Sequence, residues 1–223
     1  MDIAQIIQTV AIYALPVLFA ITVHEAAHGY AARHFGDNTA YMLGRITLNP
    51  VKHIDPVGTI AVPLIMFITS KLMLGGGILF GWAKPVPVNF NQLHRPKQDM
   101  LWVAAAGPVA NLLMAFFWAM IIKLGISFPE NVFAKPMALM GIAGIEINVI
   151  LMILNLLPLP PLDGGRIAVS LLPEKLAWKF AQIEPYGMAI LLILLISGVL
   201  GKILWPLIAF TKQIIVVLFG LYI

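Results

Sequence analysis

Residues 6–32 form an apolar run long enough to cross a bilayer, yet His24, Glu25 and His28 sit inside it within five positions. An unpaired ionisable group in hydrocarbon is costly. Any fold of this chain must therefore bring partners, or a metal ion, to those three side chains. That demand constrains the chain more than any other feature.

The remainder makes a bilayer the natural solvent. Of 223 residues 61% are apolar, and the mean hydropathy is +0.94, well beyond a soluble domain. Apolar segments fall at 6–32, 57–81, 100–124, 137–158, 186–201 and 203–222. About 20 helical residues cover the roughly 30 Å of a bilayer core. Segment 186–201 is short, and Gly198 and Gly201 predict a tight turn into the last one. Two stretches, 37–59 and 75–97, are rich in Gly, Pro and Asn and contain the fragments "RITL" and "ILFGWA". These predict small interfacial β-hairpins, whose edge could hold an extended peptide. The expected fold class is an all-α polytopic membrane protein, read as one domain over residues 1–223.

Composition removes several functions. There is no cysteine, which excludes disulfides and thiolate metal sites and leaves His, Asp and Glu as candidate ligands. The net charge of +4 is a loop bias, not a nucleic-acid footprint. No Lys or Arg precedes Arg33, so a signal-peptide n-region is not expected and the first segment is read as retained.

H-E-x-x-H on a helix puts His24 and His28 on one face, where both can bind one Zn²⁺. Glu25 lies one residue round the helix, within reach of a metal-bound water as general base. The plainer reading is a polar patch satisfied by neighbouring helices. A catalytic zinc needs a third protein ligand, and most acidic residues lie in loops. Asp163 stands out in "NLLPLPPLDGGR", residues 155–166, where prolines end a helix and two glycines allow a close turn. The plainer reading there is a solvated carboxylate at a helix end.

"HEAAH" together with "NLLPLPPLDGGR" resembles the site-2 protease family of intramembrane zinc metalloproteases. "AAGPVANLLMA" (105–115) and "GWAKPVPVN" (81–89) resemble further family stretches. The likeness covers residues 15–170 and is to the compact prokaryotic branch without PDZ or CBS domains. It implies zinc ligands His24, His28 and Asp163, with Glu25 as the catalytic base. It also implies a three-helix catalytic core within residues 6–170, followed by a C-terminal helical hairpin at 186–222. Asn111 and Asn155 match family asparagines near the site, whose amides either steady an oxyanion or tie helices together. The implied activity is hydrolysis of peptide bonds in or near transmembrane segments of membrane-protein substrates, with one zinc ion. The alternative is a non-proteolytic membrane metal-binding or transport protein.

A shared zinc also makes a topological demand. Asp163 and the histidines must meet on one side of the membrane, which forbids an odd number of crossings between them. Segment 57–81 should then dip in and return, with Pro63, Lys71 and Gly75–Gly77 as the break. With six full spans, Lys and Arg divide seven against six between the faces. With five spans and one re-entrant segment they divide ten against three, leaving out Lys212 inside the last segment. The expected topology has the N-terminus outside and the site toward the cytoplasm of a prokaryotic cell membrane. His34, His53 and His94 are expected as interfacial loop residues, with His53 and Asp55 adjacent in "NPVKHIDP".

Overall fold

The computed structural model describes residues 3–62, 64–66 and 81–221. Long apolar runs become helices because only a helix satisfies every backbone group within its own segment in lipid. Helix α1 (Ile3–His34) is followed by one helical turn at Thr39–Met42, a 3₁₀ turn at Pro50–His53 and a short apolar helix, Pro56–Met66. Then come a 3₁₀ turn at Phe90–Gln92, α2 (Pro96–Ser127), α3 (Ala134–Asn155) and α4 (Asp163–Leu171). The chain closes with α5 (Glu174–Ala181), α6 (Glu184–Ile196) and α7 (Val199–Phe219).

Among the described residues α1, α2, α3 and α7 are each long and apolar enough to cross a membrane. Helices α5 and α6, bent by 62° at their junction, supply a fifth only if the pair counts as one span. The chain is an integral membrane protein built on α1, α2 and α3, which pack against one another. Helices α2 and α3 approach most closely where Gly141 and Gly144 face Trp118 and Ile122; a Cβ at either glycine would overlap those side chains. Small residues at a helix contact are how helices in lipid, lacking a hydrophobic drive toward each other, gain packing. A second seam joins Ala115, Ala119, Ile145 and Val149 to Leu191 of α6 and to Leu200, Leu204 and Ile208 of α7. Gly198, in the left-handed region at φ 73°, makes the turn between α6 and α7.

Helix α7 has a defined direction. Near its end, Phe219 accepts a hydrogen bond from Lys123 Nζ (3.1 Å) and its ring meets Phe116 (5.6 Å). Seven residues earlier, Lys212 Nζ lies 3.8 Å from Glu146 of α3. Asn111 bonds Asn148 and Trp118 packs on Gly144, so Glu146 lies level with the stretch of α2 before Lys123. Helix α7 therefore runs alongside α2 in the same direction.

The expected β-hairpins are not there: no strand occurs among the described residues. In the "RITL" fragment Arg45 is without regular structure and residues 46–48 form bends. Of "ILFGWA", residues 78–80 lie outside the described residues. Residues 81–89 are without regular structure and follow a path over the neighbouring turns without a ladder. The reason is chemical: Pro85 and Pro87 have no N–H, so this stretch cannot sustain strand pairing. Its remaining donors are spent singly, Trp82 N–H on Gly58 O (3.0 Å) and Lys84 N–H on His53 O (2.8 Å). Arg45 Nη2 donates to the Lys84 and Pro85 carbonyls (3.0 and 3.2 Å), and Asn89 N–H donates to the buried Asp37 carboxylate (2.6 Å). We call residues 81–89 the strap. The Gly58–Trp82 bond places the two ends of the intervening stretch together. Lys71 and Gly75–Gly77, the expected break, lie outside the described residues, as does Pro63.

Candidate metal centre

The histidines lie in the last third of α1, where the 3.6-residue period turns His24 and His28 onto the face that meets α2. Helix α2 admits them through a missing side chain: a Cβ at Gly107 would overlap His28 Nε2 and His24 Cε1. Asp163 arrives from beyond α2 and α3 in the chain. It is the first residue of α4, and the turn before it is so tight that a Cβ at Gly164 would overlap the Leu156 and Leu157 carbonyls. One at Gly165 would overlap Pro160 N. The two glycines thus fold α4 back over the end of α3 and deliver the carboxylate to α1.

The resulting cluster is buried, with His24, His28 and Asp163 exposing 7%, 8% and 7% of their surfaces. His24 Nε2 lies 3.0 Å from His28 Nε2, and each lies 3.3 Å from Asp163 Oδ2. The other ring nitrogens are engaged: His24 Nδ1 with Asn111 Oδ1 at 2.6 Å and His28 Nδ1 with the Val103 carbonyl at 2.7 Å. A carbonyl only accepts, so His28 carries its proton on Nδ1 and a neutral ring presents a bare Nε2. Asp163 completes the set with its carboxylate. Its Oδ2 has no hydrogen-bond donor.

These residues fit a cation. Three lone-pair atoms converge, and without a positive centre two bare nitrogens at 3.0 Å and an anionic oxygen would repel one another. Bonds of 2.0–2.1 Å in a tetrahedral zinc site put neighbouring ligand atoms roughly 3.3 Å apart, close to the spacing found here. Two imidazoles and a carboxylate are also a donor set that zinc accepts.

Glu25, half-buried, points beside this cluster into the strap, and its Oε2 accepts the Val86 N–H at 2.7 Å. With prolines on both sides, Val86 carries the one amide hydrogen in that tripeptide. Asn111 is fully buried and committed to helix contacts: its Nδ2 donates to Ala20 O (3.1 Å) and to Asn148 Oδ1 (2.9 Å). Asn155 donates to Leu151 O of its own helix at 3.0 Å. His53 hydrogen-bonds Thr47 O through Nε2 (2.9 Å), and Asp55 caps the Pro56–Met66 helix, so neither meets the three-residue cluster. Reading the sequence alone missed Gly107, Val86 and Asn148. Gly107 had a visible signal, a glycine in the same family-like stretch, 105–115, as Asn111.

Helices able to cross a membrane around a buried His-His-Asp group with an adjacent glutamate define a membrane metallopeptidase architecture. The comparisons agree. Residues 126–197 match the model of Peptidase family M50. The chain is 38% identical over 209 residues to the Bacillus subtilis protein named "Putative zinc metalloprotease YwhC", covering 92% of this chain and 90% of that one. It is 29% identical over 188 residues to "Putative zinc metalloprotease Rip2" of Mycolicibacterium smegmatis, covering 83% of this chain and 66% of the relative. A Rip2 of Mycobacterium tuberculosis matches at 26% over 184 residues. No solved structure matches the chain. The chain belongs to peptidase family M50, the site-2 protease family of zinc metalloproteases.

Proposed function

We propose that this protein is an intramembrane metalloendopeptidase that hydrolyses peptide bonds in or near transmembrane segments of membrane-protein substrates. One observation carries the reading: the His24, His28 and Asp163 ligand atoms converge inside the helical core. His24 lies ten residues before the end of α1, about 15 Å of helix. A site at that depth meets peptide bonds that soluble peptidases do not reach.

His24, His28 and Asp163 would hold one zinc ion, which when bound polarises the scissile carbonyl and lowers the pKa of the attacking water. The chain's own contribution is proton handling and placement. Val86 N–H fixes Glu25 Oε2, leaving Oε1 to take the proton of the attacking water and return it to the leaving nitrogen. The burial of the cluster excludes competing water, and the strap lies beside the glutamate where an unwound substrate would approach.

Charge asymmetry supports an orientation with the N-terminus outside and the site toward the cytoplasm of the cell membrane. The Gly58–Trp82 hydrogen bond brings together the residues that flank the segment expected to dip in and return. The direction of α7 favours reading α5 and α6 as an excursion that returns to the cytoplasmic face. Lys202 then joins the other cytoplasmic cations, and Lys123 and Lys135 are left on the outer face.

The test is cleavage of a model transmembrane substrate in detergent or liposomes. The wild-type protein should cut it, and Glu25→Gln and chelation should each stop cleavage. Wild-type cutting by Glu25→Gln would overturn the mechanism.

A further inference from the structure

The hydrogen bond on His24 is the first of three in a row. His24 Nδ1 meets Asn111 Oδ1 (2.6 Å), Asn111 Nδ2 donates to Asn148 Oδ1 (2.9 Å), and Asn148 Nδ2 donates to the Gly144 carbonyl (2.8 Å). Asn111 Nδ2 donates also to the Ala20 carbonyl at 3.1 Å. Both asparagines are fully buried, so water offers them no alternative partners.

The two ends of the row determine its sense. Gly144 O and Ala20 O are backbone carbonyls and can only accept. Asn148 must therefore turn its NH₂ toward Gly144 and its oxygen toward Asn111. Asn111 must turn its NH₂ toward Ala20 and Asn148, which leaves its oxygen facing His24. A carbonyl oxygen facing Nδ1 requires a proton on Nδ1, so the lone pair of His24 stands on Nε2, the atom directed at His28 and Asp163. A partner on the far nitrogen is the usual means by which a ligating histidine is oriented.

We propose that Asn148 is a positioning residue of this metal centre. Through Asn111 it holds His24 as the Nδ1–H tautomer with Nε2 bare toward the metal. The inference rests on the metal-site reading above and deepens it. Three helices take part, with Asn148 on α3, Asn111 on α2 and His24 on α1, so the tautomer is set by the assembled core and not by α1 alone.

The experiment uses full-length protein labelled with ¹⁵N-histidine, which places reporters at only five positions. Long-range ¹H–¹⁵N correlation of the metal-free protein, above the histidine titration range, reads the tautomer of His24, assigned by its loss in His24→Ala. Zinc affinity is read separately by competition with a chelator. Wild type should show Nδ1–H. Asn148→Leu should admit the Nε2–H form and weaken zinc binding about 10- to 100-fold. Asn148→Asp should retain both properties, because a protonated carboxyl can still accept from Asn111 and donate to Gly144 O.

If Asn148→Leu does not insert, Asn148→Ala carries the same expectation. A variant with the wild-type tautomer and zinc affinity would overturn the proposal, whatever its thermal stability. Neither readout depends on cleavage. Wild-type protein that shows the Nδ1–H tautomer, lost in Asn148→Leu, but cuts no substrate would count against the protease reading and leave the relay standing.

Discussion

Glu25 does not stand free beside the His24–His28–Asp163 cluster: its Oε2 accepts the Val86 amide hydrogen at 2.7 Å across sixty-one positions of chain. Glu25 and the strap are one assembly. A glutamine retains a carbonyl oxygen for that amide, so Glu25→Gln should leave the strap seated and zinc bound while removing the proton acceptor. The expected fall in kcat is about 10²- to 10⁴-fold, with zinc content unchanged by metal analysis. Loss of zinc in that variant would show that Glu25 does structural work at the cluster.

Gly107→Ala tests the geometry from the α2 side. The added methyl would occupy the space of the His28 and His24 rings. The variant should insert and fold, since helix α2 tolerates alanine, yet hold zinc at least about tenfold more weakly. Chelator competition checks this, and wild-type affinity would place the rings elsewhere.

Zinc should also tie the ends of the fold together, because its ligands come from α1 and α4. Binding to the native state alone adds about 2.7 kcal/mol when free zinc is a hundredfold above its Kd. Thermal unfolding, followed through the protein's five tryptophans, should move upward with zinc and downward with chelator. His24→Ala and Asp163→Asn should each abolish the response.

The absence of native cysteine makes labelling simple. Asn38→Cys and Asn91→Cys should react from one face of the membrane and Glu130→Cys from the other. Because α7 runs with α2, a cysteine appended after Ile223 should react from the same face as Glu130→Cys. Labelling of the appended cysteine with Asn38→Cys would make the α5–α6 pair a full crossing.

Much of the site was legible because its chemistry is short-range in sequence. The four-residue spacing of His24 and His28 fixes a shared helix face, and a lone carboxylate before two glycines announces a turn. The partners of His24 were not legible in the same way. Asn111 read as a family asparagine that either steadies an oxyanion or ties helices together, and only packing shows that its partner is Asn148. Over residues 81–89 the β-hairpin expectation failed for a reason present in the sequence. Fragments rich in β-branched and aromatic residues carried the prediction, whereas Pro85 and Pro87 already forbade a ladder. Gly107 fell between these cases: the glycine was visible, but its opposite ring was not.

The Gly58–Trp82 hydrogen bond has a consequence for how this chain can change length. It forms a closed neck between Gly58 and Trp82, whatever path the chain takes between them. Lengthening a clasped loop costs little, about 0.6 kcal/mol for each doubling. Thr59 Oγ1 adds a second clasp on Trp82 O at 2.8 Å. Insertions or replacements beyond that neck should leave the strap, Glu25 and the three ligands in register, which makes it the natural place to graft new sequence onto this scaffold.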